Sequence, residues 1–188
     1  MHTHAAGAIV IGGDYRGLGV IRSLGRRSIP VLVFYDEHRL GCMSRYASRS
    51  FPWPTAVDDL QQVEYLLDMT KQHQLHDWVV YPTGDETAAL IARHHARLGR
   101  HLRLTTPPWE HVQWAYDKRL TYRLAEQLGV DGPWTVYPRS RADVEAVPGP
   151  FPVILKPAIK PQANALTGAK AWRANDRAEL AGQRAGWG

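Results

Sequence analysis

One local pattern restricts this chain more than any other. A four-residue apolar run, Ala8-Ile-Val-Ile11, enters Gly12-Gly13-Asp14, and a second apolar run, Val31 to Tyr35, follows about one helix later. Short continuous apolar runs bounded by turn residues suit strands that are covered on both faces. Between them, Gly17 to Arg27 places Leu18, Ile21 and Leu24 on one helical face. A strand, a tight turn, a helix and a second strand joined by short loops form a parallel pair with a crossover helix.

The alternation continues. Asp58 to Gln72 has Leu60, Val63, Leu66 and Leu67 at helical spacing. Trp78 to Tyr81 reads as a strand ending at Pro82. Glu86 to Leu98 reads as a helix with Asp85 as its N-cap, and Arg103 to Thr105 as an edge strand. The fold class expected is therefore α/β, an open parallel sheet, over residues 1–105. Thr106-Pro107-Pro108-Trp109 marks a junction, and a smaller α+β region is expected over 106–188. There, Trp109 to Ala115 and Lys118 to Leu128 read as helices, with Gly129 as the stop of the second. Trp134 to Tyr137, Val153 to Lys156 and Lys170 to Trp172 read as strands, and helices are expected around Ser140 to Val147 and over Asp176 to Arg184. Asp176 and Glu179 stand at capping-box spacing.

Several function classes recede on simple grounds. No apolar run in the 188 residues is long enough to cross a bilayer, so no membrane partner is expected. Cys42 is the only cysteine, which rules out an internal disulfide and fits a reducing, cytoplasmic setting. The formal charge of +5 suits anionic small molecules, but the basic residues are scattered and form no nucleic-acid motif. His73 with His76, and His94 with His95, lack a third partner at metal-ligand spacing.

Three features carry chemistry. The glycine turn Gly12 to Gly19 opens a helix, where free backbone N–H groups suit a phosphate or carboxylate; the alternative is a tight turn and nothing more. With Asp36 ending the second strand, the turn also allows an NAD(P)-binding oxidoreductase domain, although the glycine spacing departs from that fingerprint. Lys118, just after the N-cap candidate Asp117, occupies a first helical turn, where the helix dipole disfavours a cation. It is either held by an anionic ligand or turned into water. Lys156 ends the apolar strand Pro152-Val-Ile-Leu-Lys156, at the sheet edge where α/β ligand sites form. A non-catalytic nucleotide-binding or interaction module is a further reading of the same features.

The order of these pieces resembles the ATP-grasp superfamily, in its biotin-carboxylase-like and carboxylate–amine ligase-like branches. Gly17-Leu-Gly-Val-Ile-Arg-Ser-Leu24, Ser44-Arg45-Tyr46 and Pro82-Thr-Gly-Asp-Glu86 resemble the family's Rossmann-like front domain. Asp117-Lys118, Leu128-Gly-Val-Asp-Gly-Pro133 and Phe151-Pro-Val-Ile-Leu-Lys-Pro157 resemble the start of its grasp domain. The resemblance implies that Lys118 and Lys156 bind the nucleotide, and that Gly12, Gly13, Asp85 and Glu86 bind the other substrate. It implies ATP and magnesium as cofactors and a small-molecule carboxylate, activated as an acylphosphate for attack by an amine. The family's magnesium-binding acids come later than any residue here; after Lys156 only Asp176 and Glu179 are acidic. The chain is therefore expected to be truncated or half of a split enzyme, completed by a missing C-terminal half on another chain, or homo-oligomeric.

Overall fold

The computed structural model describes residues 6–156, 158–159 and 171–182. The backbone divides into two units, Met1–Val112 and Gln113–Gly188.

In the first unit, β1 (Ala8–Ile11) is buried at every position and is paired on both sides in parallel. β2 (Val31–Tyr35) and then β3 (Ala47–Pro52) lie to one side of it, and β4 (Val79–Pro82) and then β5 (Arg103–Leu104) to the other. The resulting order, β3-β2-β1-β4-β5, is an α/β sheet of the class that the apolar runs predict. Ile9 and Ile11 of β1 join Leu32, Phe34, Trp53, Val63, Leu66, Val80, Leu90 and Ile91 on one face. Ala8 and Val10 join Ile21, Val31 and Val33 on the other. So α1 (Tyr15–Gly25) covers one face, and α2 (Asp59–Gln72) and α3 (Asp85–Arg93) cover the opposite one.

Local signals set most helix ends. Asp58 caps α2: its Oδ1 accepts from Gln61 N at 2.8 Å, and Gln61 Oε1 accepts from Asp58 N at 3.3 Å. This reciprocal box satisfies two amides that the helix itself leaves unpaired. Asp58→Ala is expected to cost about 1 kcal/mol, read as a lower urea midpoint with an unchanged slope; no shift would mean the box contributes nothing.

Some expectations shift. α1 begins at Tyr15 rather than at Gly17, because Asp14 caps it. Gly84, not Asp85, precedes α3, and Asp85 lies in its first turn. The expected helix over 86–98 breaks at His94 into α3 and α4 (His95–Leu98). β3 has no sequence signal, since Ser48, Arg49 and Ser50 break any apolar run and suit an edge exposed to water.

The second unit holds the antiparallel pair β6 (Val153–Leu155) and β7 (Trp172–Ala174). With α7 (Arg141–Glu145) and α8 (Arg177–Gly182), this pair packs a small core of Val144, Val147, Ala174 and Leu180. α5 (Trp109–Tyr116) crosses the division between units, and α6 (Lys118–Gln127) follows it. Gly129 has φ +68° beyond α6, as a helix stop requires. The stretch 134–137 is not a strand: Trp134 is 53% exposed, and no second strand pairs with it among the described residues. Its β-branched and aromatic composition fits a sheet, but a strand exists only with a partner. Residues 157 and 160–170, with Lys170 of the expected strand, lie outside the described residues.

Candidate functional site

The sheet has one topological switch point. The chain leaves β1 for β2 on one side and returns to β4 on the other, so the loops after β1 and β4 diverge at the carboxyl edge. Open α/β sheets bind ligands at such a crevice. Gly12 to Asp14 follow β1, and Thr83 to Glu86 follow β4. Thr83 joins the two loops, donating from N and from Oγ1 to Ile11 O, each at 3.0 Å.

The glycines of this turn answer to packing. Gly12 has φ +125°, a conformation that L side chains rarely adopt, and a Cβ there would overlap Thr83 Oγ1. Gly13 is buried, and its Cβ would overlap His38 O. A Cβ on Gly17 would overlap Gly12 O. The helix start is already occupied: Asp14 Oδ1 accepts from Arg16 N at 2.9 Å and from Gly17 N at 3.2 Å, and Arg16 Nε donates to Asp14 Oδ2 at 2.7 Å. Burial raises the Asp14 pKa, but the bonds from Arg16 and Gly17 together outweigh it and hold the carboxyl low. A pyrophosphate would have to displace this carboxylate, so the geometry opposes both the anion cradle and the dinucleotide reading. Asp36, the expected ribose ligand, instead accepts from His38 N at 2.8 Å.

Asp85 and Glu86 are exposed at the start of α3. The charge of Asp85 also acts on Arg16. With Asp14, the segments after β1 and β4 carry three carboxylates beside the Arg16 guanidinium, charges that suit a cationic ligand group.

In the second unit, Asp117 caps α6 by accepting from Arg119 N at 2.9 Å. The Arg119 guanidinium holds the Asp117 carboxyl below its ordinary value of 3.8, against the opposing pull of burial. A carboxyl depressed on folding contributes stability above its unfolded pKa and loses it as pH falls through the lower folded value. Helicity lost on acidification below pH 3.8 is therefore expected to be smaller in Asp117→Asn than in the parent chain, by circular dichroism. Identical acid profiles would show that the cap is not coupled to folding.

Lys118 is half-buried in the first turn of α6. Its backbone N and its Nζ both donate to Ala158 O at 3.3 Å. Ala158 lies just beyond Lys156, which is exposed at the end of β6. The fold thus brings Lys118 beside the segment that carries Lys156. An ammonium has three donors, and one long bond to a carbonyl leaves capacity for a phosphate. Asp176 and Glu179 act as caps: Asp176 Oδ1 accepts from Glu179 N at 2.8 Å, and Glu179 Oε2 accepts from Asn175 N at 2.7 Å. Among the described residues no group of three or more His, Cys, Asp or Glu is placed to hold a metal. The described residues thus offer ammonium donors of the kind an anion takes, and no carboxylate set of the kind magnesium takes. No described helix is long and apolar enough to cross a membrane.

No protein-family profile matches this sequence. No curated protein matches it either. Solved structures do. The L-amino acid ligase from Bacillus licheniformis superposes with a TM-score of 0.70 at 18% identity, over 95% of this chain and 41% of that one. N5-carboxyaminoimidazole ribonucleotide synthetase from Thermotoga maritima gives 0.57 at 14%, over 93% and 42%. The biotin carboxylase domain of Hydrogenobacter thermophilus 2-oxoglutarate carboxylase, solved as a dimer with MgADP, ADP and bicarbonate, gives 0.55 at 18%, over 92% and 38%. All three are ATP-grasp enzymes, and this chain spans about two fifths of each.

Proposed function

We propose, from the premise that this chain has the fold of the front portion of the ATP-grasp enzymes, that it forms the nucleotide-phosphate and substrate-recognition part of an ATP-dependent carboxylate–amine ligase. The observation that carries the reading is the pairing of Lys118 with Ala158, beside Lys156. Two ammonium groups from neighbouring segments would neutralise phosphate oxygens, and phosphoryl transfer depends on such charge stabilisation and positioning. ATP supplies the phosphoryl group that activates a carboxylate. Magnesium ligands would come from residues other than those described. Residues 1–105 and 106–188 are the proposed domains.

In the first unit, Asp85 and Glu86 are the proposed substrate contacts, and their charge favours an amino group. Gly12 and Gly13 would serve by letting the loops after β1 and β4 approach each other rather than by touching the substrate.

The test is calorimetric titration of the chain with a non-hydrolysable ATP analogue and magnesium, in parallel with NAD. A charge-assisted hydrogen bond contributes roughly 1.5–3 kcal/mol, so Lys118→Ala with Lys156→Ala is expected to weaken the analogue at least about a hundredfold. Binding of NAD in place of the analogue would overturn the proposal, and so would an unaffected double variant.

A further inference from the structure

The crevice and the two lysines leave one motif unexplained, Ser44-Arg45-Tyr46. It lies at the other end of the sheet. The short 3-10 turn Gly41–Met43 delivers it to the start of β3, where Ala47 pairs with Val31, the first residue of β2. The last turn of α1 contributes Arg22, and Arg26 follows as its C-cap. Together Arg22, Arg26, Met43, Ser44, Arg45 and Tyr46 line an open recess of about 400 Å³, within the usual range of small-molecule sites.

Three properties make this more than a basic surface. First, three guanidinium groups converge and no lining residue is acidic. The described ion pairs engage other arginines, namely Arg16, Arg93, Arg97, Arg103, Arg119 and Arg141. Second, Tyr46 registers the resulting potential. Arg45 Nη2 donates to its hydroxyl at 2.7 Å and the guanidinium lies 4.8 Å from its ring centroid. That hydrogen bond lowers the phenol's pKa, and the Arg26 charge adds to the effect. Third, the frame is fixed. Gly25 lets α1 lie against Tyr46, where any Cβ would overlap the tyrosine side chain. Tyr46 N donates to Ser44 Oγ at 3.3 Å, and Ala47 N donates to Ser44 O at 3.0 Å.

We infer that this recess is a second anion site, which binds a phosphate-bearing small molecule through the Arg22, Arg26 and Arg45 guanidinium groups. Arginine forks match the oxygens of a phosphate in pairs, and three of them suit a multiply charged group better than a single carboxylate. Met43, 84% exposed at the rim, offers a soft apolar contact to the organic part of the ligand. The inference does not depend on the nucleotide reading of Lys118 and Lys156.

The probe is inorganic pyrophosphate without magnesium, titrated calorimetrically into the intact chain. Arg22→Gln with Arg26→Gln changes two exposed positions at the end of α1 to a residue of similar helix propensity, and an unchanged circular dichroism spectrum checks the fold. Binding is expected in the parent chain, at least tenfold weaker in the arginine variant, and unchanged in Lys118→Ala with Lys156→Ala. Arg45→Gln is expected to weaken it independently. The inference is overturned if the parent chain does not bind, if citrate binds as tightly as pyrophosphate, or if the lysine variant loses binding while the arginine variant keeps it. That last result would still leave the nucleotide proposal standing.

Discussion

Phe34→Ala is expected to lower the stability of the first unit by about 3–5 kcal/mol, the cost of truncating a buried aromatic without collapse of the cavity. Phe34 is fully buried at the carboxyl end of β2. Its ring centroid lies 5.6 Å from Trp53, 5.7 Å from Tyr65 and 6.1 Å from Phe51, so it joins β2, β3 and α2. Each aromatic pair adds about 0.5–1.5 kcal/mol beyond area burial, and alanine loses all three at once. Domains retain only about 5–15 kcal/mol in total, so the variant should approach the edge of folding at ordinary temperature. Urea denaturation followed by circular dichroism measures the loss. A value below about 1 kcal/mol, where even ordinary substitutions centre, would contradict the placement of Phe34 at the hub of this cluster.

Gly17→Ala and Gly19→Ala should have opposite signs, although both lie in α1. Alanine exceeds glycine in helix propensity by about 0.8–1.0 kcal/mol, and both substitutions gain that. At Gly19 nothing lies within 4 Å of the added Cβ, so a net stabilisation of about 0.4–1 kcal/mol is expected. At Gly17 the Cβ would overlap the carbonyl oxygen of Gly12, a backbone atom with no rotamer to change. Overpacking of this kind costs typically about 1–3 kcal/mol and occasionally more, so it outweighs the propensity gain. The helix would have to move away from the turn after β1, and the crevice would change with it. Thermal melts of the two variants give the comparison directly. Equal stabilisation of both would mean that the close approach of α1 to Gly12 is wrong, and would revive the reading of these glycines as a ligand cradle.

The contrast shows how far the residues speak for themselves. The apolar runs Ala8–Ile11 and Val31–Tyr35 announce buried parallel strands, because both of their faces are covered and no polar residue is tolerated. Asp58 with Gln61, Asp117 before Lys118, and Gly129 after α6 announce helix ends, because capping is completed within a few residues. Such features were legible without any knowledge of the rest of the chain. The place of Lys118 in a first helical turn was also legible, because Asp117 caps the helix just before it.

Pairing was not. Ala47–Pro52 became a strand because β2 lies beside it, and 134–137 did not because no described strand pairs with it. Asp14 had no visible role until its carboxylate was found on the amides of Arg16 and Gly17, which favours the tight turn over the anion cradle. The convergence of Arg22 and Arg26 on Arg45 and Tyr46 was equally silent. The sequence alone determined the buried strands β1, β2 and β4, the helices between them and several helix caps, since propensity, periodicity and caps act over a turn or two. Tertiary structure alone decided which glycines are packing contacts and which charges share a site. Those properties belong to atoms from distant segments, as when Thr83 reaches across 72 residues to Ile11, and only the folded sheet brings them within reach.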